Sequence, residues 1–103
     1  MAIGNLAYAD DRAVDRDAVH HRTRAATLDG RPLPLLIVNI SPHGMMARCE
    51  SVVTSGTRIR VILPLVGPVV GEVRWALGGR IGCQFDKAIA LAGYYELLAV
   101  LVK

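Results

Sequence analysis

Short apolar runs separated by turn-forming residues constrain the fold of this chain more than any other feature. Six such runs follow one another, at residues 18–28, 33–40, 45–49, 57–63, 69–77 and 80–85. Glycine, proline, asparagine, aspartate and serine cluster between them, and these residues favour turns. Most of the runs are too short for a helix, which needs roughly ten or more residues of helical periodicity. The sequence therefore predicts six short β-strands.

Alternation of apolar and charged residues indicates that one face of these strands is buried and the other faces water. Successive side chains of a strand point to opposite faces of the sheet. The residues expected in the core are Ile59, Val61, Leu63, Val73, Trp75, Leu77 and Phe85, and those expected in water are Arg58, Arg60, Glu72 and Arg74. Closing such a sheet removes its exposed edges, so a small antiparallel barrel is expected.

The pattern changes after Asp86, where apolar residues recur at a spacing close to that of a helix. Asp86 is suited to cap this helix, because its carboxylate can accept backbone N–H groups. The predicted fold class is therefore mainly β: a small six-stranded antiparallel β-barrel with a C-terminal α-helix. The helix holds more apolar residues than one face can bury, so its second face is expected to contact a partner protein or a second copy in a homodimer.

Composition limits the chain to a single folded domain. It has 103 residues, of which 52% are hydrophobic and 20% are charged, which excludes general disorder. Residues 1–17 are expected to form a flexible N-terminal segment, and residues 18–103 the barrel with its helix. No apolar run reaches the roughly 20 residues of a membrane-spanning helix. The first residues lack the basic start of a secretory signal, so a cytoplasmic protein is expected, with Cys49 and Cys83 reduced and buried.

The basic residues are strongly biased towards arginine. The chain has ten arginines against Lys87 and Lys103, and its formal net charge is +3. Arginine presents a planar fork that binds phosphate groups with two hydrogen bonds, whereas lysine is a point charge. The bias indicates either a phosphate-bearing partner or simply a coding preference for arginine.

Two short motifs carry the chemistry of the chain. Arg12 and Arg16 form an RxxxR spacing near the end of the N-terminal segment, where two guanidinium groups can close over an anion. Asn39, Ser41 and Gly44 form an NxSxxG pattern in the turn after the second predicted strand. Asn39 and Ser41 lie two positions apart and offer an amide and a hydroxyl on one side. Gly44 permits a backbone geometry or a close approach that a side chain would block.

These motifs occur together with two further features. A GxVxW pattern spans residues 71–75, and the last predicted strand reads RIGCQF. In this combination the chain closely resembles the PilZ domain family from residue 12 to about residue 86. That family is a six-stranded barrel that typically binds the bacterial second messenger cyclic di-GMP. The resemblance implies a receptor or adaptor that changes its surface on ligand binding and signals to a partner protein.

The resemblance also implies the ligand-binding positions, which are Arg12, Arg16, Asn39, Ser41 and Gly44. A cyclic dinucleotide offers phosphates and guanine acceptors, and these are the groups that arginine binds best. Asn39 and Ser41 would then complete the contacts to guanine or ribose. Cyclic di-GMP is expected as the ligand, and no cofactor is expected.

Other classes of function remain open. Asp11, Asp15 and Asp17 surround the two arginines, so the alternative is a degenerate PilZ-like interaction module that binds protein but no nucleotide. A third class is a small barrel that binds nucleic acid, but aromatic residues make up only 5% of the chain, so few bases could stack and this partner is not expected. Histidine and cysteine lack metal-ligand spacing, and Ser41 lacks a triad. We therefore expect neither a metal site nor enzyme activity.

Overall fold

The computed structural model describes residues 16–102 of the chain. Within that range, seven strands precede one helix. The strands are β1 (Asp17–Thr23), β2 (Ala25–Thr27), β3 (Leu35–Ser41), β4 (Gly44–Cys49), β5 (Arg58–Leu63), β6 (Gly67–Leu77) and β7 (Arg80–Phe85), and the helix is α1 (Leu91–Leu101). The strands form one antiparallel, curled sheet in the order β1-β3-β4-β7-β6-β5-β2. The predicted fold class is thereby confirmed.

The seventh strand arises because the first predicted run, residues 18–28, divides at Arg24. Its first half, β1, pairs with β3, and its second half, β2, pairs with β5 at the other end of the sheet. The Thr23 hydroxyl donates a hydrogen bond to the carbonyl of Ile62 on β5. One stretch of chain therefore joins both ends of the sheet and curls it towards a barrel.

Only Arg16 and Asp17 of the predicted N-terminal segment, residues 1–17, lie among the described residues. Asp17, which we expected in the N-terminal segment, is already the first residue of β1. Residues 1–15 of the predicted segment lie outside the described residues.

The core lies between the inner face of the curled sheet and α1. The fully buried large side chains are Leu33, Ile37, Ile40, Ile59, Leu63, Leu97, Val61 and Val73. The predicted core positions Ile59, Val61, Leu63, Val73 and Phe85 are confirmed. The alternation of β5 also holds, since Arg58 and Arg60 are exposed.

The prediction that Trp75 and Leu77 lie in the core is wrong, since these side chains are 39% and 80% exposed. In the pairing of β6 with β7, Val73 lies opposite Cys83 and Trp75 lies opposite Gly82, the preceding residue of β7. β6 therefore carries one extra residue, and such a bulge moves the rest of the strand to the opposite face. Trp75 and Leu77 consequently lie on the outer face of the sheet.

Helix α1 packs one side on the open end of the core, where Tyr94, Leu97 and Leu101 are buried. It begins later than the sequence indicated, and Asp86 does not cap it. The N-cap position is Ala90, which makes no side-chain capping hydrogen bond. The Asp86 carboxylate instead accepts a hydrogen bond from Arg58 on β5, which lies beyond the intervening strand β6.

The second side of α1 carries exposed apolar residues. Leu91, Tyr95 and Val102 are 60%, 64% and 58% exposed, while Leu98 is partly buried against the core. A homodimer through this helix stays a prediction. The described helix is too short to cross a bilayer.

Both cysteines are buried free thiols, as expected. Burial raises the pKa of the Cys83 thiol to about 12, and the neighbouring Asp86 carboxylate adds to this shift. The neutral thiol therefore predominates in the native protein, and the reactive thiolate is rare.

This pKa predicts the reactivity of Cys83. In a Cys49→Ala variant, we expect iodoacetamide to label Cys83 very slowly at mildly alkaline pH and rapidly after unfolding, because the unfolded thiol has a pKa of about 8.5. Mass spectrometry of the labelled protein measures both rates. Equal rates in the native and unfolded states would contradict the burial of this group.

The helix is expected to be part of the stable core. Leu97→Ala should lower the free energy of unfolding by about 2–5 kcal/mol, since it leaves a cavity at a fully buried position. Leu91→Ala is the matched control on the exposed side and should change it by less than about 0.5 kcal/mol. Urea denaturation followed by circular dichroism measures both, and similar losses would show that α1 packs differently.

Candidate functional site

Two motifs that are distant in sequence meet on the outer face of the sheet. Arg16, the second arginine of RxxxR, donates a hydrogen bond from Nη1 to Oδ1 of Asn39 at 2.9 Å, across 23 positions of sequence. The antiparallel pairing of β1 with β3 brings them together, since Ala18 lies opposite Asn39. Arg12, the first arginine of the motif, lies outside the described residues.

A bulge in β3 turns Asn39 outward. Ile37 lies opposite Ala47 and Asn39 lies opposite Met46, so Val38 is an extra residue between them. Ile37 and Ile40 are buried while Asn39 is half-buried. The Asn39 amide nitrogen lies 3.8 Å from the Met46 sulfur, a weak acceptor. Its N–H groups can therefore still donate to a stronger acceptor.

Ser41 and Gly44 bound the tight turn between β3 and β4. Ser41 Oγ accepts a hydrogen bond from the His43 N–H at 3.1 Å, so its own proton can be donated elsewhere. A Cβ on Gly44 would overlap the carbonyl oxygen of Cys83 on β7. The close approach of β4 to β7 is thus sufficient reason for glycine at this position.

The acidic residue next to Arg16 faces away from it. The Asp17 carboxylate oxygen Oδ2 lies 2.5 Å from the Tyr94 hydroxyl, which also lies 3.1 Å from the carbonyl oxygen of Ile40. Arg16, just before β1, contacts Asn39 on the outer face, whereas Asp17, the first residue of β1, contacts Tyr94 on the inner side. Asp17 therefore does not compete for the Arg16 guanidinium. Asp11 and Asp15, which were expected to compete as well, lie outside the described residues.

Trp75 belongs to the same face, although the sequence analysis assigned it to the core. Pairing across four strands places Asn39 opposite Met46, Met46 opposite Gly82, and Gly82 opposite Trp75. We call these four residues the Asn–Trp row. A Cβ on Gly82 would overlap Nε1 of the indole, so the ring lies over β7. The GxVxW pattern was the only sequence signal for Trp75. The bulge in β6 cannot be recognised from the alternation of apolar and charged residues.

The row presents hydrogen-bonding groups at one end and an aromatic ring at the other. Asn39 and Trp75 are three strands apart, which is about 14 Å at the usual strand spacing. Arg16 adds a positive charge beside Asn39. Such a surface suits an anionic ligand with a planar ring.

The described residues hold no group of three or more histidine, cysteine, aspartate or glutamate side chains placed to bind a metal ion. Ser41 has the backbone of His43 rather than a basic side chain as its hydrogen-bond partner.

Two glycines offer a test of this packing. Gly44→Ala should destabilise the protein by about 1–3 kcal/mol, since the added methyl meets the β7 backbone. Gly93→Ala in α1 has no heavy atom within 4 Å of the added Cβ and should stabilise it by about 0.5–1 kcal/mol. Thermal unfolding measures both changes, and a neutral Gly44→Ala would exclude the close approach of β4 and β7.

The sequence model of the PilZ domain family matches residues 12–99 of this chain. A search of curated proteins finds no match. Among solved structures, the chain is similar to the crystal structure of the PilZ domain of CeSA from a cellulose-synthesizing bacterium. The two are 14% identical with a TM-score of 0.59, and the match covers 84% of this chain and 93% of that chain. This similarity is one of fold.

The family match extends over most of the chain and includes the RxxxR and NxSxxG motifs, the Asn–Trp row and most of α1. The curled sheet and the single C-terminal helix agree with it. The resemblance inferred from the sequence is confirmed, and the chain belongs to the PilZ domain family.

Proposed function

We propose that this chain is a cyclic di-GMP receptor or adaptor, without enzyme activity, that signals to a partner protein. PilZ domains are binding and adaptor modules, generally for this messenger. The observation that carries the proposal is the hydrogen bond from Arg16 to Asn39, which unites the two ligand motifs at one place on the outer face. A bacterial, cytoplasmic protein is implied by this ligand.

Each residue of the site has a role suited to its chemistry. Arg12 and Arg16 would bind phosphate or guanine with charge-assisted hydrogen bonds. Asn39 has N–H groups to offer, and Ser41 has a hydroxyl proton. Gly44 would hold the turn close to β7 and keep Ser41 in position.

Trp75 would add a stacking surface at the other end of the Asn–Trp row. The indole is 39% exposed and lies over a glycine, so one part of the ring is supported by β7 and the rest can meet a ligand. Stacking of a base on an aromatic side chain contributes about 1–3 kcal/mol.

Signalling can begin at the first residues of β1. Arg16 binds Asn39 on the outer face, and the adjacent Asp17 binds Tyr94 of α1 on the inner face. A ligand that draws Arg16 away from Asn39 would move the backbone that also positions Asp17. The surface of α1 that a partner meets would then change with ligand binding.

The second candidate is an interaction module that binds protein and no nucleotide. The hydrogen bond from Arg16 to Asn39 favours this interaction module in one respect, because Arg16 already has a partner within the chain. A ligand must replace that bond, and its net contribution is roughly 1.5–3 kcal/mol when one group is charged.

Calorimetric titration with cyclic di-GMP tests the proposal. We expect binding in the micromolar range or tighter, and a loss of roughly 2–4 kcal/mol of binding free energy in Arg16→Ala and in Arg12→Ala. Ser41→Ala should cost about 0.5–1.5 kcal/mol, as it removes one neutral hydrogen bond. Arg60→Ala, an exposed arginine on β5, is the matched control and should bind as the parent does.

No heat of binding at ligand concentrations near a hundred micromolar would exclude the receptor and favour the interaction module. Equal losses in Arg16→Ala and Arg60→Ala would show that the ligand responds to net charge rather than to this site.

Trp75 provides an independent optical test, because it is the single tryptophan of the chain. Cyclic di-GMP should quench its fluorescence, and Trp75→Leu should weaken binding by about 1–3 kcal/mol. The Arg60→Ala variant should retain the quenching. Unchanged emission at a ligand concentration where calorimetry shows saturation would place the bound purine away from the indole.

A further inference from the structure

Three exposed arginines lie in one line across the outer face, beside the Asn–Trp row. Arg22 of β1 pairs with Leu36, Leu36 with Arg48, Arg48 with Arg80, and Arg80 with Leu77. We call these five residues the arginine row. Along β4, β7 and β6 it lies two residues beyond the Asn–Trp row, which is about 7 Å.

The charges of the arginine row are not neutralised within the described part of the chain. Arg22, Arg48 and Arg80 make neither an ion pair nor a side-chain hydrogen bond there. In contrast, Arg58 and Arg74 each donate to a side-chain oxygen.

Arg48 and Arg80 lie directly opposite each other on neighbouring strands. Like charges in that arrangement destabilise a sheet. The nearest acidic residue along β4 is Glu50, which is exposed just past the end of the strand and forms no ion pair with either arginine. The pair therefore carries a cost that an external anion would offset.

Apolar side chains accompany the charges. Leu77 is 80% exposed at one end of the row, and Leu36 is half-buried between Arg22 and Arg48. Arginine next to apolar side chains is typical of the central part of protein interfaces. A single-stranded nucleic acid would instead need aromatic rings on which its bases stack, and the arginine row contains none.

We propose that the arginine row binds an acidic segment of a partner protein. Carboxylates of that segment would bridge Arg48 and Arg80, and an apolar side chain next to them would pack on Leu77. Arg22, two strands away from Arg48, would take a further carboxylate. This docking surface does not require cyclic di-GMP. The docking proposal can therefore be tested independently of the proposed nucleotide site.

The test uses the full chain without nucleotide and two short synthetic peptides of equal length and charge. One is composed of glutamate and leucine, the other of glutamate and serine. Calorimetry should show tighter binding of the glutamate–leucine peptide. Arg48→Gln and Arg80→Gln should each weaken it roughly tenfold, since each removes charge-assisted hydrogen bonds. Arg60→Gln changes the net charge equally and should leave the affinity unchanged.

Leu77→Ser separates the apolar part of the surface from the charged part. It should remove the preference for the glutamate–leucine peptide and leave binding of the glutamate–serine peptide intact. All these positions are exposed, and an unchanged melting temperature confirms that each variant is folded.

Four results would overturn the proposal. The first three are no binding of the glutamate–leucine peptide, an equal loss of affinity in Arg60→Gln, and equal affinity of the parent chain for both peptides. The fourth is an oligouridylate that binds more tightly than the peptide at the same salt concentration and loses affinity in Arg48→Gln and Arg80→Gln. That outcome would make the row a nucleic-acid surface instead.

Discussion

One extra residue in each of two strands, β3 and β6, determines which side chains form the Asn–Trp row. Val38 in β3 and Arg74 in β6 are bulged, so Asn39 and Trp75 turn to the outer face where a regular strand would have buried them. Gly82 between them leaves room for the indole. The Asn–Trp row exists because both bulges flank the same line across the sheet, and bulges commonly redirect side chains next to binding sites.

Regular alternation explains why most of the fold was predictable and this row was not. Ile59, Val61 and Leu63 follow a strict period of two on an unbroken strand, and all three are buried. A bulge adds a residue without any change in composition, so the same rule assigned Trp75 and Leu77 to the wrong face. The division of the first predicted strand at Arg24 could not be predicted for a related reason. It depends on pairing with distant strands, since β1 pairs with β3 and β2 pairs with β5.

Charged residues were hardest to place from the sequence, because their partners come from distant positions. Asp86 was suited to cap a helix, yet Arg58 on β5 is close enough to bind it, and α1 begins without a side-chain cap. Asp17 was expected near the RxxxR arginines. In the structure, the Asp17 carboxylate lies on the inner face of the sheet, where it contacts the Tyr94 hydroxyl. The resemblance to the PilZ family implied that Arg16 and Asn39 belong to one site, but only the structure shows that they touch, across the pairing of β1 with β3.

The position of β1 limits how a signal from the proposed ligand site could reach a partner. The strands β3, β4, β7 and β6 each have a neighbour on both sides, and shifting any of them would break two ladders of backbone hydrogen bonds. β1 is an end strand, and its start is held by one ladder, by Arg16 on Asn39 and by Asp17 on Tyr94. A ligand on the outer face can therefore displace the start of β1 at less cost than any other described strand that reaches the site. Under the proposed function, a partner would sense either the surface of the ligand itself, bordering the arginine row, or a change at α1 transmitted through Asp17 and Tyr94.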